Sequence, residues 1–140
     1  MIYRKVLVAN DGSPGAFKAL AASFGIARRH NAELHMIIVE ELPRFPVSIE
    51  EVEGEIEAAH HRFAPVIEKS KAEATAEGLE LRCHVLPGHA VSTIVEFCRE
   101  RAFDLLIVGF MGHSALYNRV IGSTTDRLVD HSPCSVLVVK

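Results

Sequence analysis

Two kinds of hydrophobic spacing alternate along the chain. Val6-Leu7-Val8-Ala9, Leu34 to Val39 and Leu105-Leu106-Ile107-Val108 are short continuous apolar runs, the pattern of strands covered on both faces. After the first run, Asp11-Gly12-Ser13-Pro14 stops the strand, and Ser13 as N-cap with Pro14 as first helical residue starts a helix. Ala16, Leu20, Phe24 and Ala27 then share one face, which predicts a helix to about His30. From Ile49, apolar residues recur in steps of three and four (Val52, Ile56, Ala59, Phe63, Val66-Ile67), predicting a long amphipathic helix to about Glu77 that ends at Gly78. Pro65 inside it predicts a lost hydrogen bond and a bend, or a break into two pieces.

The spacing then changes. Leu79, Leu81, Cys83 and Val85 alternate with Glu80, Arg82 and His84, which predicts a strand with one solvated face at or near a sheet edge. Pro87-Gly88 reads as the turn after it. Val91, Ile94, Val95 and Cys98 line a third helix, a fourth is expected from about Ser123 to His131, and a last strand from Cys134 to Val139. The alternation β-α-β-α-β-α-β-α-β predicts a parallel sheet with helices on both faces and right-handed crossovers. No repeat, low-complexity tract or linker divides the chain, so residues 1–140 are expected to form one domain.

Composition narrows the function classes. Of the 140 residues, 49% are hydrophobic and the net charge is −3, which argues against disorder and against a general nucleic-acid or anionic-membrane binder. Cys83, Cys98 and Cys134 form no Cys-x-x-Cys pair and no disulfide framework. All three fall in apolar-periodic segments and are expected as buried, reduced thiols. With no signal-peptide pattern and no run of membrane-spanning length, a cytoplasmic protein is expected. His60-His61, His84 and His89 lack metal-ligand spacing and read as solvated surface. The glutamates at 50, 51, 53, 55 and 57 complement a helix dipole.

The candidate chemistry lies between the Leu105 strand and the fourth helix. Gly109-Phe110-Met111-Gly112-His113 through Gly122-Ser123-Thr124-Thr125 is a glycine-punctuated loop with no carboxylate before Asp126. Gly109 and Gly112 allow a ligand to approach the main chain. Gly122-Ser123-Thr124 puts N–H groups and hydroxyls at a helix start, where anions are favoured. The spacing Gly-x2-Gly-x9-Gly-Ser is neither a P-loop nor a dinucleotide fingerprint. Each part also has a structural reading. Gly112 and Gly122 serve any loop, Ser123 with Asp126 fits a capping box, Asp11 suits a turn beside Gly12, and Met111 suits packing.

The glycine spacing resembles the ATP-binding signature of the universal stress protein family. Val6-Leu7-Val8-Ala9-Asn10-Asp11-Gly12-Ser13 is similar to that family's first strand and turn, and His131-Ser132-Pro133-Cys134-Ser135-Val136-Leu137-Val138-Val139 to its final strand, so the resemblance spans nearly the whole chain. It implies an α/β, Rossmann-like fold of the adenine nucleotide alpha hydrolase type, a five-stranded parallel sheet in the order 3-2-1-4-5. The winding then reverses between the first and fourth strands, where ligands bind. By matching position, Asp11 would lie at the nucleoside end, Ala9 and Val39 would pack on the base, and Val108 and Met111 would flank the nucleotide, with Ser13 among the nucleotide-binding residues. Main-chain N–H groups of Gly109–Gly112 and Gly122–Thr124 would hold phosphates, with the hydroxyls of Ser123 and Thr125. His113 and Arg119 are the cationic candidates in the loop. The sequence departs from the family pattern at Asn10 and Met111.

The resemblance implies a sensor or regulator that binds ATP, or AMP or ADP, with magnesium as an optional companion. Efficient phosphoryl-transfer catalysis is not expected, because the loop offers no lysine and no acidic metal ligand. Slow ATP hydrolysis and a ligand-free interaction module are the alternatives. Ser135–Val139, placed at the sheet edge, would expose an unpaired backbone row. Pairing with its own copy would make a homodimer, as the resemblance also implies. A regulatory protein partner is compatible with this, and no metal site, nucleic acid or membrane is expected.

Overall fold

The computed structural model of the chain describes residues 2–41, 48–110 and 121–140. Five strands, β1 (Lys5–Ala9), β2 (Glu33–Glu41), β3 (Leu81–Gly88), β4 (Leu105–Gly109) and β5 (Ser135–Val139), form one sheet in the order β3-β2-β1-β4-β5. All pairings are parallel, with Val8 opposite both Met36 and Ile107. The helices α1 (Pro14–His30), α2 (Ile49–Ala76), α3 (Ala90–Glu100) and α4 (Ser123–His131) fill the intervals. Strand alternation divides the core in two. Val6, Val8, Met36, Ile38 and Ile107 meet Leu20 and Phe24 of α1 and Phe63, Val66 and Ile67 of α2. Leu7, Ile37, Leu106 and Val108 meet Ile94, Phe97 and Cys98 of α3 and Leu128 of α4.

Local chemistry accounts for the element ends. Ser13 caps α1, its hydroxyl accepting the Ala16 N–H at 3.2 Å, and Asn31 closes it in the left-handed region at φ 51°, which Asn tolerates. Ser48 caps α2 by accepting the Glu51 N–H, with Glu50 and Glu51 in the first turn. Asp104, ahead of β4, accepts the N–H groups of Arg4 and Lys5 at 2.8 and 3.1 Å. This ties the amino ends of β1 and β4 together.

Several expectations are corrected. Pro65 does not divide α2, which is one helix over Ile49–Ala76. The proline sits on its exposed side, where the carbonyl left without a donor meets water. Pro87 and Gly88 belong to β3, opposite Glu40 and Glu41. A proline is tolerated there because β3 is an edge strand. Gly88, at φ +145°, ends it where a side chain would collide with Thr93.

His84 is not on a solvated face. It is half-buried, with its ring 4.9 Å from Phe97 and stacked 5.2 Å from His35, and its Nε2 lies 2.9 Å from His35 Nδ1. Helix α3 covers this face of β3, so the edge strand is packed on both sides. His35 Nε2 is buried without a hydrogen-bond partner among the described residues. Burial first, and then His84, push His35 from 6.5 down to about 4, against the opposing pull of Glu33. Burial likewise lowers His84. Of the three cysteines, only Cys98 is fully buried. Cys83 and Cys134 are half-buried, and all three are free thiols.

Candidate functional site

At the carboxyl ends of β1 and β4 lies a cleft of about 370 Å³, within the size range of small-molecule sites. The β3-to-β4 connection crosses over β2 and β1, so the start of α3 walls the cleft on one side and α4 walls it on the other.

The β1 turn forms the first wall. The Asn10 N–H donates to the Ile37 carbonyl at 3.0 Å, and its buried amide oxygen accepts the Gly12 N–H at 2.8 Å. The Asn10 amide also donates to Ser70 on α2 at 3.4 Å. That accounts for a polar residue at this buried position. The Asp11 carboxylate accepts the Ser13 N–H at 3.0 Å, so Asp11 does serve the turn. It also stands exposed at the cleft. Gly12 takes φ +85° with its Cβ direction facing Val66, a conformation that favours glycine.

Gly109, at the end of β4, is required by a close approach. A Cβ there would stand 2.8 Å from the backbone C and O of Gly15 in α1. Its carbonyl accepts the Thr125 hydroxyl at 2.7 Å, so the Thr125 proton locks the start of α4 to the strand end. The Phe110 N–H donates to the Val139 carbonyl at 2.8 Å, and the Gly122 N–H to the Phe110 carbonyl at 2.9 Å. The N-cap of α4 is Gly122 and not Ser123, so the capping-box reading of Ser123 is corrected. Gly122 offers no side-chain cap, and the first backbone bond within the helix is Asp126 N–H to the Gly122 carbonyl. The first-turn amides of Ser123, Thr124 and Thr125 therefore have no intrahelical partner. The exposed hydroxyls of Ser123 and Thr124 stand beside them.

The cleft brings together Ala9, Asp11, Ser13, Val39, Val108, Gly109, Gly122, Ser123, Thr124 and Thr125. Met111, Gly112, His113 and Arg119 lie outside the described residues. Seven further residues line it: Asn10, Ala16, Ile37, Glu41, Ala90, Ile94 and Leu128. The path of α3 was available as a signal for Ala90 and Ile94, since a crossover from the third to the fourth strand must pass over the switch point. Glu41 had no local signal. Its carboxylate accepts the Ala90 N–H at 2.9 Å and lies 3.4 Å from His89 Nδ1. It caps α3, whose own N-cap, His89, makes no side-chain cap bond. The two helix starts at the cleft therefore differ: the Glu41 carboxylate binds the first amide of α3, while α4 begins without a side-chain cap and carries Asp126 in its first turn. No lysine, arginine or histidine is among the described lining residues. Among the described residues, no three His, Cys, Asp or Glu side chains gather as a metal site, and no helix is long and apolar enough to cross a membrane.

The family model described as the universal stress protein family matches residues 2–140. A universal stress protein of Methanocaldococcus jannaschii is 28% identical over 141 residues, covering 99% of this chain and 83% of the relative. The solved structure of UspA from Lactobacillus plantarum superposes with TM-score 0.86 at 24% identity, covering 100% of this chain and 99% of that one; that likeness is one of fold. A universal stress protein solved in complex with cAMP superposes with TM-score 0.76 at 25% identity, covering 100% and 99%.

Proposed function

The chain belongs to the universal stress protein family, and from that premise we propose that its cleft binds an adenine nucleotide, ATP or else ADP or AMP, and that the protein acts as a stress-response sensor or regulator through that occupancy. The observation that carries the reading is the polarity of the cleft. On the β1–β2 side stand the apolar surfaces of Ala9, Ile37 and Val39, with the carboxylates of Asp11 and Glu41. On the β4–α4 side stands a helix start without a side-chain cap, flanked by hydroxyls. An apolar base, a ribose that donates hydrogen bonds to carboxylate, and phosphates that accept them from amides match this order from one wall to the other. The reverse orientation would set phosphates against Asp11 and Glu41. The relative solved with cAMP supports the same class of ligand. With no three-ligand metal cluster among the described residues, magnesium would be held chiefly by the phosphates.

We also infer a homodimer through β5. This strand ends the sheet, and Leu137 on it is exposed. Antiparallel pairing with a second copy would satisfy its open backbone row. A monomer by light scattering at micromolar concentration would refute that part.

The test of the nucleotide reading is direct. Protein purified without added nucleotide is precipitated with acid, and the released small molecules are identified by chromatography with mass detection. ATP, ADP or AMP near one per chain, or saturable binding of ATP to the stripped protein, is expected. No released nucleotide and no binding of ATP, ADP or AMP by calorimetric titration would overturn the reading in favour of a ligand-free interaction module.

A further inference from the structure

The stacked histidine pair lies at a junction that the nucleotide reading does not use. His35 on β2 and His84 on β3 are diagonal neighbours, since His35 pairs with Arg82 and Ile37 with His84. Their rings are parallel within 8°, and His35 Nδ1 faces His84 Nε2 at 2.9 Å. Phe97 of α3 lies 4.9 Å from the His84 ring, and Phe103, in the turn after α3, stands edge-on to His35 at 5.0 Å. Phe97 and Phe103 stack on each other at 5.5 Å. Two strands and a helix are thus joined through a cluster of rings around one polar contact. His35 Nε2 is buried without a hydrogen-bond partner among the described residues, with Glu33 Oε1 3.8 Å away. Water reaches the outer side of the junction through a groove of about 370 Å³, lined by Leu86 of β3 and by Thr93, Glu96, Phe97 and Glu100 of α3.

We propose that the His35–His84 contact is an acid-operated clasp: proton uptake by the pair parts the two rings and lifts α3 off β2 and β3 while the sheet stays folded. The contact needs an acceptor on one of the two facing nitrogens. A first added proton leaves that acceptor in place and makes the bond charge-assisted. A second puts N–H groups on both facing nitrogens and two positive charges among buried rings. The surrounding charges do not relieve this. Lys5 of β1, Arg82 of β3 and Arg101 at the end of α3 oppose positive charge on the pair. Glu33 of β2 favours it, but its carboxylate is already paired with Arg82. The seam that opens lies toward the sheet edge, because β3 has only β2 as a strand neighbour, whereas β1 and β4 are each flanked by two strands.

Proton linkage sets the direction and the size. Burial first, and then His84, hold His35 at about 4 in the closed form against 6.5 for an exposed ring. The closed form excludes the proton and the open form accepts it. Closure is therefore firm above pH 6.5 and is lost as pH falls toward 4. For His35 alone, opening becomes about 20-fold more frequent at pH 5 than at pH 7, and the lowering of His84 acts in the same direction. Ala90 and Ile94 of α3 also wall the cleft, so acid would loosen that wall. This effect on ligand binding rests on the nucleotide reading; the clasp itself does not.

The experiment is hydrogen exchange on the full chain, free of nucleotide, at pH 7, 6 and 5 and at several low urea concentrations, with rates corrected for the intrinsic pH dependence of exchange. The α3 amides from Ile94 to Glu100 are expected to open about 20-fold more often at pH 5 than at pH 7. They should do so with little dependence on urea and ahead of the amides of β1 and β4, as a local opening does. In His35→Phe the α3 opening should lose most of that pH dependence. Exchange of α3 only together with β1 and β4, with one shared urea dependence, would overturn the proposal, since it would mean that acid acts on the whole fold. So would an α3 opening in the wild type that does not change between pH 7 and 5. Both comparisons lie within the wild-type protein, so they decide the matter even if the variant fails to fold. With no nucleotide present, the outcome is also separate from that of the binding test.

Discussion

The buried histidine pair makes a prediction about acid that can be worked to a number. His35 is 5% exposed and its Nε2 has no hydrogen-bond partner among the described residues. His84, Glu33, Lys5 and Arg82 are the charged or titratable groups around it, and Arg101 joins them beside His84. The Nδ1–Nε2 contact at 2.9 Å needs a neutral acceptor on one ring, so a doubly protonated pair cannot keep it. His35 binds its proton with a value near 4 in the fold against 6.5 in the unfolded chain. The stability that comes from keeping it neutral is present above pH 6.5 and is lost as pH falls toward 4. Proton linkage gives a loss of roughly 2 kcal/mol between pH 7 and 5, and about 3 by pH 4. The lowering of His84 acts in the same direction. Urea unfolding followed by circular dichroism suits a chain with no tryptophan. The comparison is wild type against His35→Phe at pH 7, 6 and 5. Any constant packing difference cancels in the pH dependence. The stability of wild type relative to the variant should fall by about 2 kcal/mol across that range. A difference that stays flat within roughly 0.5 kcal/mol would refute the reasoning.

Three other outcomes follow from the cleft. Gly109→Ala places a methyl 2.8 Å from the Gly15 backbone and should cost about 1–3 kcal/mol, read as a lower thermal midpoint; an unchanged midpoint would mean that α1 moves away freely. Thr125→Val leaves the Gly109 carbonyl without its 2.7 Å donor, and should cost about 1–2 kcal/mol in urea unfolding. Ser123→Asp puts a carboxylate in the uncapped first turn of α4. It should leave the fold intact and weaken ATP binding by roughly 10-fold or more, while adenosine binding changes little. Equal weakening of both ligands would argue against phosphates at that helix start.

The elements were legible where one local rule acts alone. The continuous apolar runs of β1 and β4 and the Ser13-Pro14 start of α1 read directly, and the strand order came with the family resemblance. What escaped was contact between distant segments. Alternation in β3 marked His84 as solvated, because the pattern cannot register that α3 lies over it. Glu41 closes the start of α3 from the end of another strand, a role with no spacing to find. At Ser123 the capping-box pattern was present, but the chain began the helix one residue earlier. Gly122 as N-cap left the Ser123 hydroxyl free of that duty.

The seam between Gly109 and Gly15 has a consequence for motion. Two backbones touch there with no side chain between them, so no rotamer change can loosen the contact, and β4 and α1 are expected to shift together as one body. The walls of the cleft are joined differently. Glu41 grips α3 through exposed polar bonds at 2.9 and 3.4 Å, which water can replace at little cost. Hydrogen exchange should therefore find the floor of the cleft slow and the Ala90 amide fast. A molecule settling into the cleft would move the rim at β2 and α3 and leave the floor where it is.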